Sequence, residues 1–336
     1  MKKLVAGLVF VFLILAFLFI PSNLRNEILS PVVRLTDKQV VERPLERYYF
    51  ENLRKREYPS GEIRLEEVIN KFDSNEIKEE KSYTSWLFSY LSDGKKVTGM
   101  ANIPKKNGQL PVVIMFRGYA DDEIYFTGLG TRKVAGVLAE NGFITLAPDF
   151  LGFGGSDPAS ADFLEARFVK PVTVLDLLSS IKSLPQADES KISFWAHSNG
   201  GQIALSVLEI TQKNIPTVLW APVTQGFPES VLQYMDDYQN LDELGKEVYE
   251  KITAFCRDYD CRKVSIDYYF QDINAPIQVH QGGQDQLVDQ TDTDQFVQTM
   301  KKLNKQVEYF TYPNSDHNLK QDWDEVVPQN LSFFNS

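Results

Sequence analysis

The chain has 336 residues, 43% hydrophobic and 24% charged, proportions that exclude wholesale disorder, a collagen-like repeat and a disulfide-rich miniprotein. Thirty-five Lys and Arg against 46 Asp and Glu leave a net charge of −11, which repels phosphate and argues against nucleic acid as a partner. Short basic runs such as Arg54-Lys55-Arg56 read as solvated surface.

Lys2 and Lys3 precede an unbroken apolar run from Leu4 to Ile20, closed by Pro21. As a helix that run spans roughly 26 Å, near the lower limit for crossing a bilayer. Lysines ahead of it favour a cytoplasmic N-terminus. Residues 1–21 are therefore expected to anchor the chain in a membrane, with the rest on the extracytoplasmic side. A cleaved signal peptide is the alternative, although Ile20-Pro21-Ser22 lacks the small residues of a cleavage site.

Residues 22–80 read as a linker and N-terminal extension, with a charged helix over about 45–58. The main domain is expected over residues 81–336. Ser82–Leu91 and Lys96–Asn102 flank Ser92-Asp93-Gly94, the pattern of an antiparallel hairpin. Strands at Leu110–Phe116, Phe143–Ala147, Lys191–Ala196, Thr217–Ala221, Pro276–His280 and Gln306–Tyr312 then alternate with helical stretches at Thr131–Asn141, Ala161–Leu184, Gly200–Ile210 and Glu325–Phe334. Near-continuous apolar strands between helices predict a mostly parallel, eight-stranded sheet covered on both faces.

Residues 224–274 interrupt the alternation, and an ordinary connection is far shorter. The stretch is helical in pattern and rich in aromatics, including Tyr234, Tyr238, Tyr249, Phe255, Tyr268, Tyr269 and Phe270. It is expected to form a helical cap beyond the carboxyl ends of the strands, where open α/β sheets bind ligands. Most of its aromatics should fill the core of its own helices. Cys256 and Cys261 lie in it; a local disulfide and two unlinked thiols both remain open. Two thiols without nearby histidines do not make a structural zinc site.

The segment Ala196-His197-Ser198-Asn199-Gly200 sits where a buried strand turns into a helix. A serine on so sharp a turn needs small neighbours two residues away, the requirement behind G-x-S-x-G, here with alanine in the first place. The following helix aims its N-terminal amides at the serine. A serine hydroxyl needs a base, and the chain has three histidines. His197 adjoins Ser198 and should point elsewhere. His280 lies within a strand as a packed residue. His317, in the loop after the last strand, remains as the base. Asp285, just past Gly282-Gly283, is placed to orient it; Asp289 is the alternative, and Asp316 is too close in sequence to face the ring. The order Ser198, Asp285, His317 is that of an α/β-hydrolase. Amides at Tyr119, after Gly118, and at Asn199 are the candidate oxyanion donors, and the Tyr119 hydroxyl is a further candidate contact. Asp121-Asp122-Glu123 read as a solvated loop, with selection of a cationic substrate as the sharper alternative. The glycine-rich stretch Gly152–Gly155 matches no phosphate-binding pattern.

These features together, Arg117-Gly118-Tyr119, Asp149 to Asp157, Ser198-Asn199-Gly200-Gly201, Gly282-x-x-Asp285-x-x-Val288 and Asp316-His317, resemble the catalytic domain of prolyl-oligopeptidase-like peptidases within the α/β-hydrolase superfamily. Dienelactone-hydrolase and acetyl-esterase relatives share the pattern. The resemblance implies a Ser198-Asp285-His317 triad, an oxyanion hole at Tyr119 and Asn199, cleavage of an ester or peptide bond through an acyl-enzyme, and no cofactor or metal. Ala196 and Arg117 depart from the usual glycine and histidine. Two further readings stay open: a catalytically silent scaffold that binds a ligand, and an acyltransferase using the same triad.

Overall fold

A single twisted sheet of nine strands carries the fold. The structure, a computed structural model, describes residues 42–69, 71–72, 75–76, 82–235 and 242–336. The expected anchor over residues 1–21 lies outside the described residues. Among the described residues no helix is long and apolar enough to cross a membrane.

Residues 45–336 cluster into one unit. It begins with α1 (Phe50–Lys55), β1 (Arg64–Val68) and a separate two-stranded pair, β2 (Lys71–Phe72) and β3 (Asn75–Glu76). There follow β4 (Tyr83–Ser92), β5 (Lys95–Pro104), β6 (Leu110–Phe116), α2 (Arg132–Glu140), β7 (Ile144–Pro148), α3 (Phe163–Ser180), β8 (Ala187–His197), α4 (Asn199–Thr211) and β9 (Thr217–Trp220). The chain closes with α5 (Glu229–Leu232), α6 (Glu243–Asp258), β10 (Ile277–Gly282), α7 (Gln290–Lys302), β11 (Val307–Tyr312) and α8 (Trp323–Phe334).

The sheet order is β1-β4-β5-β7-β6-β8-β9-β10-β11. From β1 to β7 the pairings are antiparallel; from β7 to β11 they are parallel. The β4–β5 hairpin closes at Ser92↔Lys95. Both central residues take positive φ, Asp93 at 49° and Gly94 at 76°, the turn whose twist matches paired strands.

The expected count of eight strands is corrected to nine by β1, at the antiparallel edge. Its sequence, Arg-Leu-Glu-Glu-Val, is mostly exposed, and a register shift between Leu65 and Glu67 breaks the two-residue alternation that marks a strand. The expected domain start at residue 81 also moves. Tyr48, Phe50 and Leu53 of the stretch read as a charged helix are buried in the main core.

Strand side chains alternate between two cores. Ile114, Phe116, Phe194, Ala196 and Leu219 face the larger one with α1, α3, α4 and α7. Val113, Met115, Trp195, Val218 and Trp220 face the smaller one under α2 and α8. The inserted segment packs beside α3, where the Phe168 ring lies 5.4 Å from Phe227 and 5.2 Å from Phe255. Phe255, Tyr269 and Phe270 are buried, but in the larger core against Phe168, Phe50 and Phe296 and not in a core of the segment's own helices as expected, whereas Tyr234, Tyr249 and Tyr268 face solvent; Tyr238 lies outside the described residues. Cys256 and Cys261 are free thiols, half-buried, not a disulfide. Burial and a hydrogen bond with Cys261 push the Cys256 thiol well above its ordinary value.

Candidate active site

β8 ends at His197 and α4 begins at Asn199, so Ser198 alone makes the reversal, at φ 55° and ψ −125°. Side chains rarely adopt that conformation. Backbone bonds hold it: Ser198 N donates to Trp220 O at 3.0 Å, and Ser198 O accepts from Gly201 N at 2.9 Å and Val223 N at 3.0 Å. The small residues around it answer to real neighbours. A Cβ on Gly200 would collide with the Phe116 carbonyl oxygen, and one on Gly201 would lie 2.6 Å from Pro222 Cβ. Ala196, the departure from glycine, is accommodated fully buried in the larger core.

Asp285 and His317 stand on the loops after β10 and β11, at the same carboxyl edge as Ser198. His317 Nδ1 lies 2.8 Å from Asp285 Oδ2. The carboxylate accepts, so Nδ1 carries the hydrogen and Nε2 is left as the basic nitrogen. Gly282 permits this approach: a Cβ there would come within 2.5 Å of the Ser315 and Asp316 carbonyl oxygens. The Asp285 side chain has no solvent exposure. Burial pushes its carboxyl up, but His317 and the amides of Val288 and Leu287 more than offset this and hold it below the ordinary value. Gln281 Nε2 adds a bond to Oδ2 at 3.1 Å.

The alternatives separate by geometry. Asp289 caps α7, accepting from Thr291 N at 2.8 Å. Asp316 accepts from Asn318 N at 2.9 Å instead of facing the ring. His280 is a packed sheet residue, bonded through Nδ1 to the Tyr312 hydroxyl at 2.9 Å and stacked on Phe310. Burial lowers its pKa to about 3. His197 turns away from the serine and lies with its ring 4.6 Å from that of His317. Ser198 Oγ has no hydrogen-bond partner among the described residues, so the Asp285–His317 bond is formed and the serine–histidine bond is not. Such bonds often tighten only when substrate is present.

Gly118 brings the oxyanion loop against the serine: a Cβ there would lie 3.0 Å from Ser198 Cβ and 3.4 Å from Oγ. The Tyr119 side chain is 80% exposed, and its hydroxyl is engaged with Asp121, which raises its pKa. The hydroxyl is thus committed to its own loop, and the backbone amide is the candidate donor. Asn199 is the first residue of α4, so its amide has no partner within the helix.

Two supports were not evident in the sequence. Asp149 is a buried hub whose Oδ2 accepts from Thr98 Oγ1 at 2.6 Å and Thr127 Oγ1 at 2.9 Å, and whose Oδ1 accepts from the Tyr125 hydroxyl at 2.5 Å. Arg117 lies 4.6 Å from the Tyr125 ring centroid and 4.1 Å from that of Phe153, and donates to Gly118 O at 2.9 Å. Together they fix the loop from β6. The residues concerned are scattered, and only the glycine-rich run after Asp149 hinted at them. Among the described residues no cluster of His, Cys, Asp and Glu is arranged to hold a metal.

The fold and site define a serine hydrolase of the α/β-hydrolase class. Residues 130–335 match the prolyl oligopeptidase family, and the chain belongs to that family. It is 26% identical over 238 residues to a putative carboxymethylenebutenolidase of Escherichia coli (strain K12), covering 70% of this chain and 77% of that one. Among solved structures, acetyl xylan esterase from Paenibacillus sp. R4 superposes with a TM-score of 0.61 at 17% identity, over 88% of this chain and 96% of the esterase. Pyrococcus horikoshii acylaminoacyl peptidase gives 0.58 at 16% identity, over 76% of this chain and 42% of the peptidase. Porphyromonas gingivalis dipeptidyl peptidase 4 gives 0.57 at 14%, with only 36% of that chain covered. The chain thus spans well under half the length of these peptidases, and at such identities the likeness is one of fold.

Proposed function

We propose that the protein hydrolyses carboxylic esters through an acyl-enzyme, with peptide bonds as the second reading. Ser198 Oγ attacks the carbonyl carbon while His317 Nε2 takes its proton. Asp285 holds the imidazole in the required tautomer and stabilises the imidazolium, and the amides of Tyr119 and Asn199 receive the oxyanion. The proton then passes to the leaving oxygen, and water, deprotonated by the same histidine, releases the acid. The observation that carries this reading is the 2.8 Å bond between His317 Nδ1 and Asp285 Oδ2, beside a serine held at φ 55°. Ester is favoured because the acetyl xylan esterase is matched over nearly its whole length, the peptidases over less than half of theirs.

A fluorophosphonate probe tests the serine. Labelling should be lost in Ser198→Ala, and labelling that survives there sinks the assignment; no labelling of the parent protein favours a silent scaffold. Hydrolysis of p-nitrophenyl acetate against an aminoacyl p-nitroanilide divides ester from peptide. Acyl transfer to an added alcohol in preference to water would mark the acyltransferase reading. We read residues 1–21 as a membrane anchor with the hydrolase outside the cytoplasm; release from membranes by alkaline carbonate would refute it.

A further inference from the structure

We infer that Arg167 and Lys170 hold a carboxylate carried by the substrate, so that the esters cleaved are monoesters of short dicarboxylic acids. This rests on the ester-hydrolase reading above and names the acid component of its substrate. Both side chains come from α3 and line a cavity between that helix and α4. On α4 the wall is one helix face, Asn199, Gln202, Ile203 and Ser206. That face begins at the residue after Ser198, the residue whose amide is the second candidate oxyanion donor.

No Asp or Glu lines the cavity, in a chain whose net charge is −11. Lys170 makes no hydrogen bond or ion pair among the described residues, and the charges that act on it, Arg167 and Arg117, are both cations. Arg167 is engaged there only through Nη2, which donates to the Gln202 side chain and, at 3.0 Å, to Ser230 Oγ. Both acceptors are neutral. Burial lowers Arg167 to about 10; burial, and then the neighbouring charges, lower Lys170 to about 7. A counter-charge in the cavity would reverse both shifts. Half-buried cations without an acid beside them are costly, and an anion from outside offsets that cost. Size selects the anion. The cavity is about 30 Å³, room for about two water-sized groups. The two oxygens of a carboxylate fit, whereas a phosphate brings more. The charge belongs on the acid component, because that half stays on Ser198 through acylation and deacylation and a fixed anchor positions it in both steps. The same hold on the alcohol would retard its departure.

Hydrolysis of p-nitrophenyl hydrogen glutarate is compared with that of its neutral methyl ester. The charged ester should have the higher kcat/KM, by about tenfold or more. Lys170→Gln should shrink that ratio by about fivefold or more, and Lys170→Glu should invert it. A ratio of two substrates on one preparation cancels any loss of folded enzyme. Binding is read separately by reductive methylation of Lys170, followed by peptide mass spectrometry. Glutarate should slow the methylation, in the full chain and in Ser198→Ala, and neutral glutaramide should not. Equal kcat/KM for the two esters, a ratio unchanged in both Lys170 variants, or no protection by glutarate would each overturn the proposal. Protection of Lys170 without turnover of any ester would overturn the hydrolase reading and leave the carboxylate site standing; equal turnover of both esters would do the reverse.

Discussion

His197 Nε2 donates to the carbonyl oxygen of His317 at 3.0 Å. The residue before the proposed nucleophile therefore holds the backbone of the proposed base. A carbonyl only accepts, so the hydrogen of His197 sits on Nε2. His197→Ala should lower kcat about tenfold, the worth of one hydrogen bond at a positioned loop, with KM nearly unchanged. Steady-state kinetics on p-nitrophenyl acetate checks this; an unchanged kcat would show that the loop holds itself.

Two buried histidines make stability depend on pH. Burial, and then the charge of His317, lower His197 to about 4, and burial lowers His280 to about 3, from an ordinary 6.5. The unfolded chain therefore binds protons that the folded chain refuses. Stability should be full above pH 6.5 and fall on acidification by about 1.4 kcal/mol per pH unit for each histidine, until the folded pKa is reached. Urea denaturation at pH 7 and pH 5 measures the slope, and a flat profile would contradict it.

Asp285 and Asp289 should respond differently to the same change. Asp285→Asn presents an amide to His317 Nδ1, disturbs the tautomer, and should cost about 10³–10⁴ in kcat. Asp289→Asn touches only a helix cap, where asparagine serves nearly as well, and should leave kcat within about twofold. A comparable loss in both would move the orienting carboxylate elsewhere.

At Tyr119 the proposed donor is the backbone, so side-chain truncation and loss of the amide hydrogen separate. Tyr119→Ala should keep kcat within about threefold. Tyr119→Pro, which has no N–H, should lower it by about 10²–10³. Circular dichroism on both variants guards against misfolding.

Gly200 tests the turn itself. A methyl there meets the Phe116 carbonyl oxygen, and backbone has little room to yield. Gly200→Ala should cost about 1–3 kcal/mol or more, read as a lowered urea midpoint. Tolerance of alanine would mean that the α4 entry is looser than its geometry.

The centre of the parallel half was readable because β6, β7, β9 and the later part of β8 are near-continuous apolar runs, with helical stretches between the first three of the strands. Asp285 could be chosen over Asp289 because a glycine pair marks a tight loop, while Asp289 precedes a helix. β1 escaped notice because Arg64, Glu66 and Glu67 hide a strand whose pairing carries a bulge. The burial of Tyr48, Phe50 and Leu53 was hidden for a similar reason: charged neighbours on so short a helix mask its apolar side. His197 as a brace and Asp149 as a hub depend on partners far away in the chain, His317 in one case and Thr98, Tyr125 and Thr127 in the other. No local spacing encodes such pairings.

The two cores are unequal, and α8 closes the smaller one. Peeling α8 from the sheet exposes less apolar surface than displacing α4, so its amides should exchange with deuterium sooner. Asn330 on α8 bonds to Gln278 Oε1 at 3.2 Å and to the His280 ring at 2.8 Å. Release of this last helix would let water reach the interior of β10 while the far side of the molecule stays intact, so thermal inactivation would begin at the carboxyl terminus.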